Sequence, residues 1–166
     1  MRIIHALAVM PLLALAAVAA PRAAAAQQAR PTATLTIGGK SYAAAGNGIC
    51  QSAPVASIYG VRASMWSVQL DGGAGGGLRS LSLTVWRPVA GGGEQMSLYA
   101  KTGATEHRID TVKKGGRGGI VGAGTVTVRP QGPGGRFEID GRDGSGATVR
   151  GTVTCPRFSS MEAVGG

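Results

Sequence analysis

The chain has 166 residues, with 17 Lys and Arg against 8 Asp and Glu, a formal charge of +9. That length suits one domain and leaves no room for two cores. The 29 glycines, none in the first 26 residues, argue against a helical bundle, because each helix-interior glycine costs about 1 kcal/mol, and against a large enzyme with a deep core.

Residues 1–26 read as a signal peptide. Met1, Arg2 and His5 form a basic start, and Ala6 to Ala20 is an uncharged apolar run, shorter than the roughly 20 residues of a membrane span. Ala23-Ala24-Ala25-Ala26 supplies a small-x-small cleavage site, with cleavage expected after Ala26. The mature chain is then expected to be secreted or periplasmic, touching a membrane only if the leader is retained. No cysteine follows the apolar run, so lipid attachment at a leader cysteine is excluded. Loss of Arg2 and Arg22 lowers the formal charge to +7.

Residues 27–155 read as a single β domain of short period-two runs punctuated by glycine. Thr32 to Ile37 puts Leu35 and Ile37 on one face, and Gly38-Gly39 turns the chain into Ser41-Tyr42-Ala43. Val55 to Leu70 holds two extended pieces broken near Gly60, with Trp66, Val68 and Leu70 sharing a face. The tract Gly72 to Gly77 is read as a flexible connection. In the strand Leu78 to Trp86, Leu81, Leu83 and Val85 face one way, and Ser80, Ser82, Thr84 and Trp86 the other. Two hairpins follow, each ended by proline and turned by glycine. Their parity sets Val85 and Leu83 near Met96 and Leu98, and pairs Val128 with Phe137 and Val126 with Ile139.

In the last hairpin, pairing Ile139 with Val149 lays Phe137 opposite Gly151 and turns Val149, Val153 and Cys155 inward. Cys50 and Cys155 are the only cysteines, and an even pair in an oxidising compartment reads as one disulfide. The tail 156–166 has little apolar content beyond Phe158 and is expected to be flexible. Eight to ten short strands with no amphipathic helix make an all-β fold, either an antiparallel β-sandwich or a partly open barrel.

Three stretches, Gly48-Ile49-Cys50-Gln51, Gly135-Arg136-Phe137-Glu138-Ile139-Asp140-Gly141 and Gly151-Thr152-Val153-Thr154-Cys155, together resemble the mycobacterial lipoprotein antigen family of small exported β proteins. The resemblance covers residues 32 to 155 and implies a non-catalytic envelope protein. The chain departs from that family in lacking the lipid-anchor cysteine.

The residues for chemistry are few. His107 is the only histidine after the leader, in the polar run Thr105-Glu106-His107-Arg108, and reads as a surface residue. Asp140-Gly141-Arg142-Asp143-Gly144-Ser145-Gly146 lacks the alternating oxygens and closing Glu of a calcium loop and reads as a hairpin turn. Gly39-Lys40-Ser41 lacks the first glycine of a phosphate-binding loop and any helix after it. No catalytic residue, metal or cofactor is expected.

Two surfaces remain. Ser82, Thr84 and Trp86 face the same way as Gln95, Ser97 and Tyr99, a polar face with rings suited to a sugar. Lys113, Lys114 and Arg117 form a basic glycine-rich loop suited to an anion. The expected partner is an envelope protein or an anionic or neutral polysaccharide. Charge is spread along the chain and aromatics are sparse, which argues against nucleic acid. The expected function is a non-enzymatic, exported envelope-binding or accessory domain, then a carbohydrate-binding domain, with a small hydrolase last.

Overall fold

The computed structural model describes residues 30–58, 60–73, 77–112 and 119–161. The expected leader, part of the glycine tract, the basic-loop residues Lys113, Lys114 and Arg117, and tail residues 162–166 lie outside the described residues.

The strands are β1 (Thr32–Ile37), β2 (Lys40–Ala45), β3 (Asn47–Ile58), β4 (Val61–Asp71), β5 (Leu78–Pro88), β6 (Gln95–Thr102), β7 (Thr105–Asp110), β8 (Ala123–Gln131), β9 (Gly134–Arg142), β10 (Thr148–Cys155) and β11 (Ser159–Ser160). They form a five-stranded sheet in the order β2-β1-β10-β9-β8 and a six-stranded sheet in the order β11-β3-β4-β5-β6-β7. All pairs are antiparallel except β11 on β3, and neither sheet closes on itself, so the sandwich reading holds over the barrel.

Alternation builds the core. Leu35 and Ile37 of β1, Leu81, Leu83 and Val85 of β5, Met96 and Leu98 of β6, and Phe137 and Ile139 of β9 turn into one interlayer cluster. Val85 pairs with Met96, Leu83 with Leu98, Val128 with Phe137 and Val126 with Ile139, as parity required. Cys50 on β3 is bonded to Cys155 on β10, with a Cα–Cα distance of 6.0 Å, so the bridge joins one sheet to the other.

The last hairpin corrects the expected register. Ile139 lies opposite Gly151, Phe137 opposite Val153, and Val149 opposite Gly141. The connection runs two residues longer than supposed because Asp143 Oδ1 accepts from the backbone N–H groups of Ser145 and Ala147, at 2.9 and 3.0 Å, and so holds a wider loop. A shift of two keeps every side chain on its face, so Val149, Val153 and Cys155 remain buried. Gly151 is covered by Leu35, and a Cβ there would stand 2.0 Å from the Thr34 carbonyl oxygen.

The tail is also corrected up to Met161. Phe158 packs edge-on against Phe137 with centroids 6.1 Å apart, and its N–H donates to the Pro133 carbonyl. Ser159 and Ser160 then pair with Gln51 and Ser52. One aromatic ring was enough to dock the segment, because the end of the sandwich offered a Phe edge to receive it.

Three sheet edges carry guards. On β8, Val128 N–H donates to Glu94 Oε2 and its carbonyl accepts from Arg87, so the Arg87–Glu94 ion pair stands in for a neighbouring strand. On β7, Asp110 exchanges backbone bonds with Val121, and Gly144 N–H donates to the Arg108 carbonyl. On β3, β11 covers Gln51 and Ser52, and beyond them Pro54 and a register break between Ala53 and Ala56 interrupt the edge. A partner adding a strand at any of these three edges meets these obstacles; the remaining edge strand is β2.

Candidate functional site

Side chains of the six-stranded sheet that point away from the core line up in rows across the strands. One row is Ile49, Gln69, Ser82, Tyr99 and Arg108, from β3 to β7. The next is Asn47, Asp71, Ser80, Lys101 and Glu106. Adjacent strands stand about 4.8 Å apart, so three steps from Tyr99 to Ile49 span about 14 Å.

Between these rows runs a shallow groove of about 610 Å³ lined by Asn47, Ile49, Gln69, Asp71, Ser80, Ser82 and Tyr99, with Gly48, Leu70 and Leu81 beneath. Tyr99 stands at its far end. Interaction of its hydroxyl with the neighbouring Glu106 carboxylate raises the phenol's pKa, and the same interaction, followed by the nearby Lys101 charge, holds the Glu106 carboxyl low against some desolvation. Lys101 Nζ lies 3.5 Å from Glu106 Oε1. The groove thus offers one aromatic ring, two amides, two serine hydroxyls and a carboxylate. This set can cover the apolar face of a sugar ring and both donate to and accept from its hydroxyls.

The expected platform of Trp86 and Tyr99 is not a single surface. Trp86 is 9% exposed, packed with Ala63, Val112 and Met65 in a small cluster on the outer face. Its partner across β6 is Gln95, and the row containing Thr84 and Ser97 lies between the indole and the Tyr99 row. Of the expected platform, Ser82 and Tyr99 line the groove, while Trp86, Gln95 and Thr84 do not. Gln69, Asp71, Asn47 and Ile49 were not foreseen. Their parity was legible, but placing them beside Tyr99 needed the β3–β4–β5 pairing.

His107 corrects a second expectation. It is 8% exposed and turned into the sandwich. Thr102 Oγ1 lies 3.1 Å from His107 Nε2, and His107 Nδ1 lies 2.7 Å from Asp143 Oδ2. An ionised carboxylate only accepts, so Nδ1–H donates to Asp143, and in the neutral ring Nε2 accepts from the Thr102 hydroxyl. Hydroxyl, imidazole and carboxylate follow the order of a hydrolytic triad. Thr102 is 7% exposed, however, and neither it nor His107 lines the groove.

What this chain of bonds does is tie β6 and β7 of one sheet to the β9–β10 loop of the other. Asp143 is the knot, since Oδ1 also accepts from the Ser145 hydroxyl. Burial works against its charge and is the largest single influence, yet the bonds from Ser145, His107 and Ala147 together outweigh it and hold the carboxyl below its ordinary value.

A folded-state value below the unfolded one means the stabilisation is present above about pH 4 and is lost as pH falls through the folded value. Asp143→Asn is therefore expected to cost about 1–3 kcal/mol at neutral pH. Its melting curve should converge with that of the unaltered protein as pH falls below about 4. A stability gap that stays constant between pH 7 and pH 3 would show that the carboxylate charge is not what ties the loop.

Among the described residues no group of three or more His, Cys, Asp or Glu side chains is placed to hold a metal ion, and no helix is long and apolar enough to cross a membrane. Comparison with protein-family models, curated proteins and solved structures finds no match.

Proposed function

We propose that the chain is a non-enzymatic, exported β domain that binds a polysaccharide of the cell envelope on the outer face of its six-stranded sheet. The observation that carries this is the groove in which Tyr99 stands beside Ser82, Ser80, Gln69, Asn47 and Asp71. Both edges of the six-stranded sheet, at β3 and β7, are guarded, which for that sheet favours contact through its face over strand addition. Export is part of the proposal. It is supported by the leader pattern in residues 1–26 and by a disulfide of the kind that persists in oxidising compartments. Kinship with the mycobacterial lipoprotein antigen family belongs to the same proposal, and the bridge between an early and a late cysteine is compatible with it.

The hydrolase reading has one observation in its favour, the Thr102–His107–Asp143 order, and ranks lower because the hydroxyl is buried.

Tyr99→Ala is the test. On the binding reading it lowers affinity for the envelope glycan at least about tenfold by calorimetric titration, as loss of a stacking ring does. Thermal stability stays within about 0.5 kcal/mol, as for other surface changes. Unchanged affinity would move the ligand elsewhere.

A further inference from the structure

We propose that the groove beside Tyr99 continues over the β3 edge, and that its ligand is an extended acidic oligosaccharide whose anionic group is taken by Arg157. This rests on the glycan reading above and adds length, direction and charge to it.

A second groove, about 450 Å³, lies on the other side of Ile49 and ends at Pro156, Arg157 and Ser159. The two grooves share Gly48 and Ile49, so they meet on the β3 edge. Ile49 is 55% exposed there, an apolar crest that the core does not use. From Tyr99 on β6 through β5, β4 and β3 to β11 is four strand steps, about 19 Å, the length of several linked sugar rings and not of one.

Charge gives the track a direction. Arg87, Arg108, Arg129, Arg136 and Arg150 each have a carboxylate within 4 Å; among the described arginines without a salt bridge, Arg157 is the one that lines either groove, and it is exposed. Its backbone is held on both sides, by the Cys50–Cys155 bridge before it and by Phe158 on Phe137 after it. A guanidinium on a segment held at both ends suits two-pronged bonding to a carboxylate. The first groove holds Asp71, on β4 opposite Asn47, which accepts from hydroxyls and repels an anion, while Arg157 lines only the second groove. The neutral rings therefore belong near Tyr99, and the acid near Arg157.

The probes are galacturonate, glucuronate and mannuronate tetrasaccharides and their methyl esters, titrated into the mature full chain at low salt, with neutral envelope glycans alongside. The proposal expects at least one acid to bind about tenfold more tightly than its ester, the size of one charge-assisted contact. Arg157→Gln should bring the acid to the ester's affinity and leave the ester unchanged, while Tyr99→Ala weakens both. Melting curves of both variants check that they fold.

Equal binding of acid and ester overturns the proposal, as does an acid preference that survives Arg157→Gln or one that disappears only when Lys113, Lys114 and Arg117 are changed to Gln. Binding of neutral glycans alone overturns it too, and in all these cases the Tyr99 groove stands. If no glycan of either kind binds, the polysaccharide reading falls with it.

Discussion

Replacing Cys50 and Cys155 together with alanine is expected to remove about 2–5 kcal/mol of folding stability, the range for a native bridge in a small exported domain. The bridge closes a sequence separation of 105 residues, for which the chain-entropy account gives roughly 4.7 kcal/mol. Small domains are stable by only about 5–15 kcal/mol in all, so this single bond is a large share of what keeps the chain folded. Alanine is the right replacement because both positions are buried, at 7% and 2% exposure, and a serine hydroxyl would add an unpaired polar group to the loss.

The loss has a direction in space. Cys50 lies in β3, and its carbonyl accepts from the Ser159 hydroxyl. The tail that carries Arg157 is therefore tied to the bridge twice, through Cys155 in the chain and through Ser159 across the strand. Denaturant titration of the double variant and of the reduced unaltered protein should give the same shifted midpoint. Hydrogen exchange should then show 156–161 opening before the central strands. A midpoint within about 0.5 kcal/mol of the oxidised protein would mean that the two sheets hold without the bridge.

The parts of the fold legible in the sequence were those decided by local parity. Val85 with Met96 and Val128 with Phe137 follow from alternation on either side of a glycine turn, and any pairing of the right parity buries the same side chains. The last hairpin shows the limit. The inward set Val149, Val153 and Cys155 was right, while the partners were displaced by two because a side-chain cap at Asp143 widened the loop. Parity does not sense a shift of two.

His107 and Phe158 show a second limit. Thr105-Glu106-His107-Arg108 is polar along the chain, yet its alternation turns His107 inward, and only the β9–β10 loop of the other sheet supplies the carboxylate that makes burial affordable. Asp143 is 36 residues away, and no spacing rule connects the two. The groove was half legible for the same reason. Ser82 and Tyr99 share a hairpin, whereas Asn47, Ile49, Gln69 and Asp71 arrive through pairings of β3 and β4 that hydrophobic patterning leaves open.

Trp86→Ala is expected to cost about 3–5 kcal/mol, the range for truncating a buried large ring, and to leave glycan binding at the Tyr99 groove intact in the molecules that remain folded. The indole covers Ala63, Met65 and Val112 on the outer face, a satellite cluster with few other large side chains, so the site has little means to collapse around a missing ring. Tyr99 lies half exposed in the groove, so losing it should change binding and not stability.

Trp86→Phe refines the test. The indole Nε1–H is buried without a hydrogen-bond partner among the described residues, so phenylalanine gives up packing area and also removes an unsatisfied donor. Its cost should therefore fall well below that of alanine, to about 1 kcal/mol. Denaturation of the three variants side by side, each titrated with glycan, separates the roles of the two rings. If Trp86→Ala melts like the unaltered protein and loses the ligand, the indole is a contact surface and not a cover for the sheet.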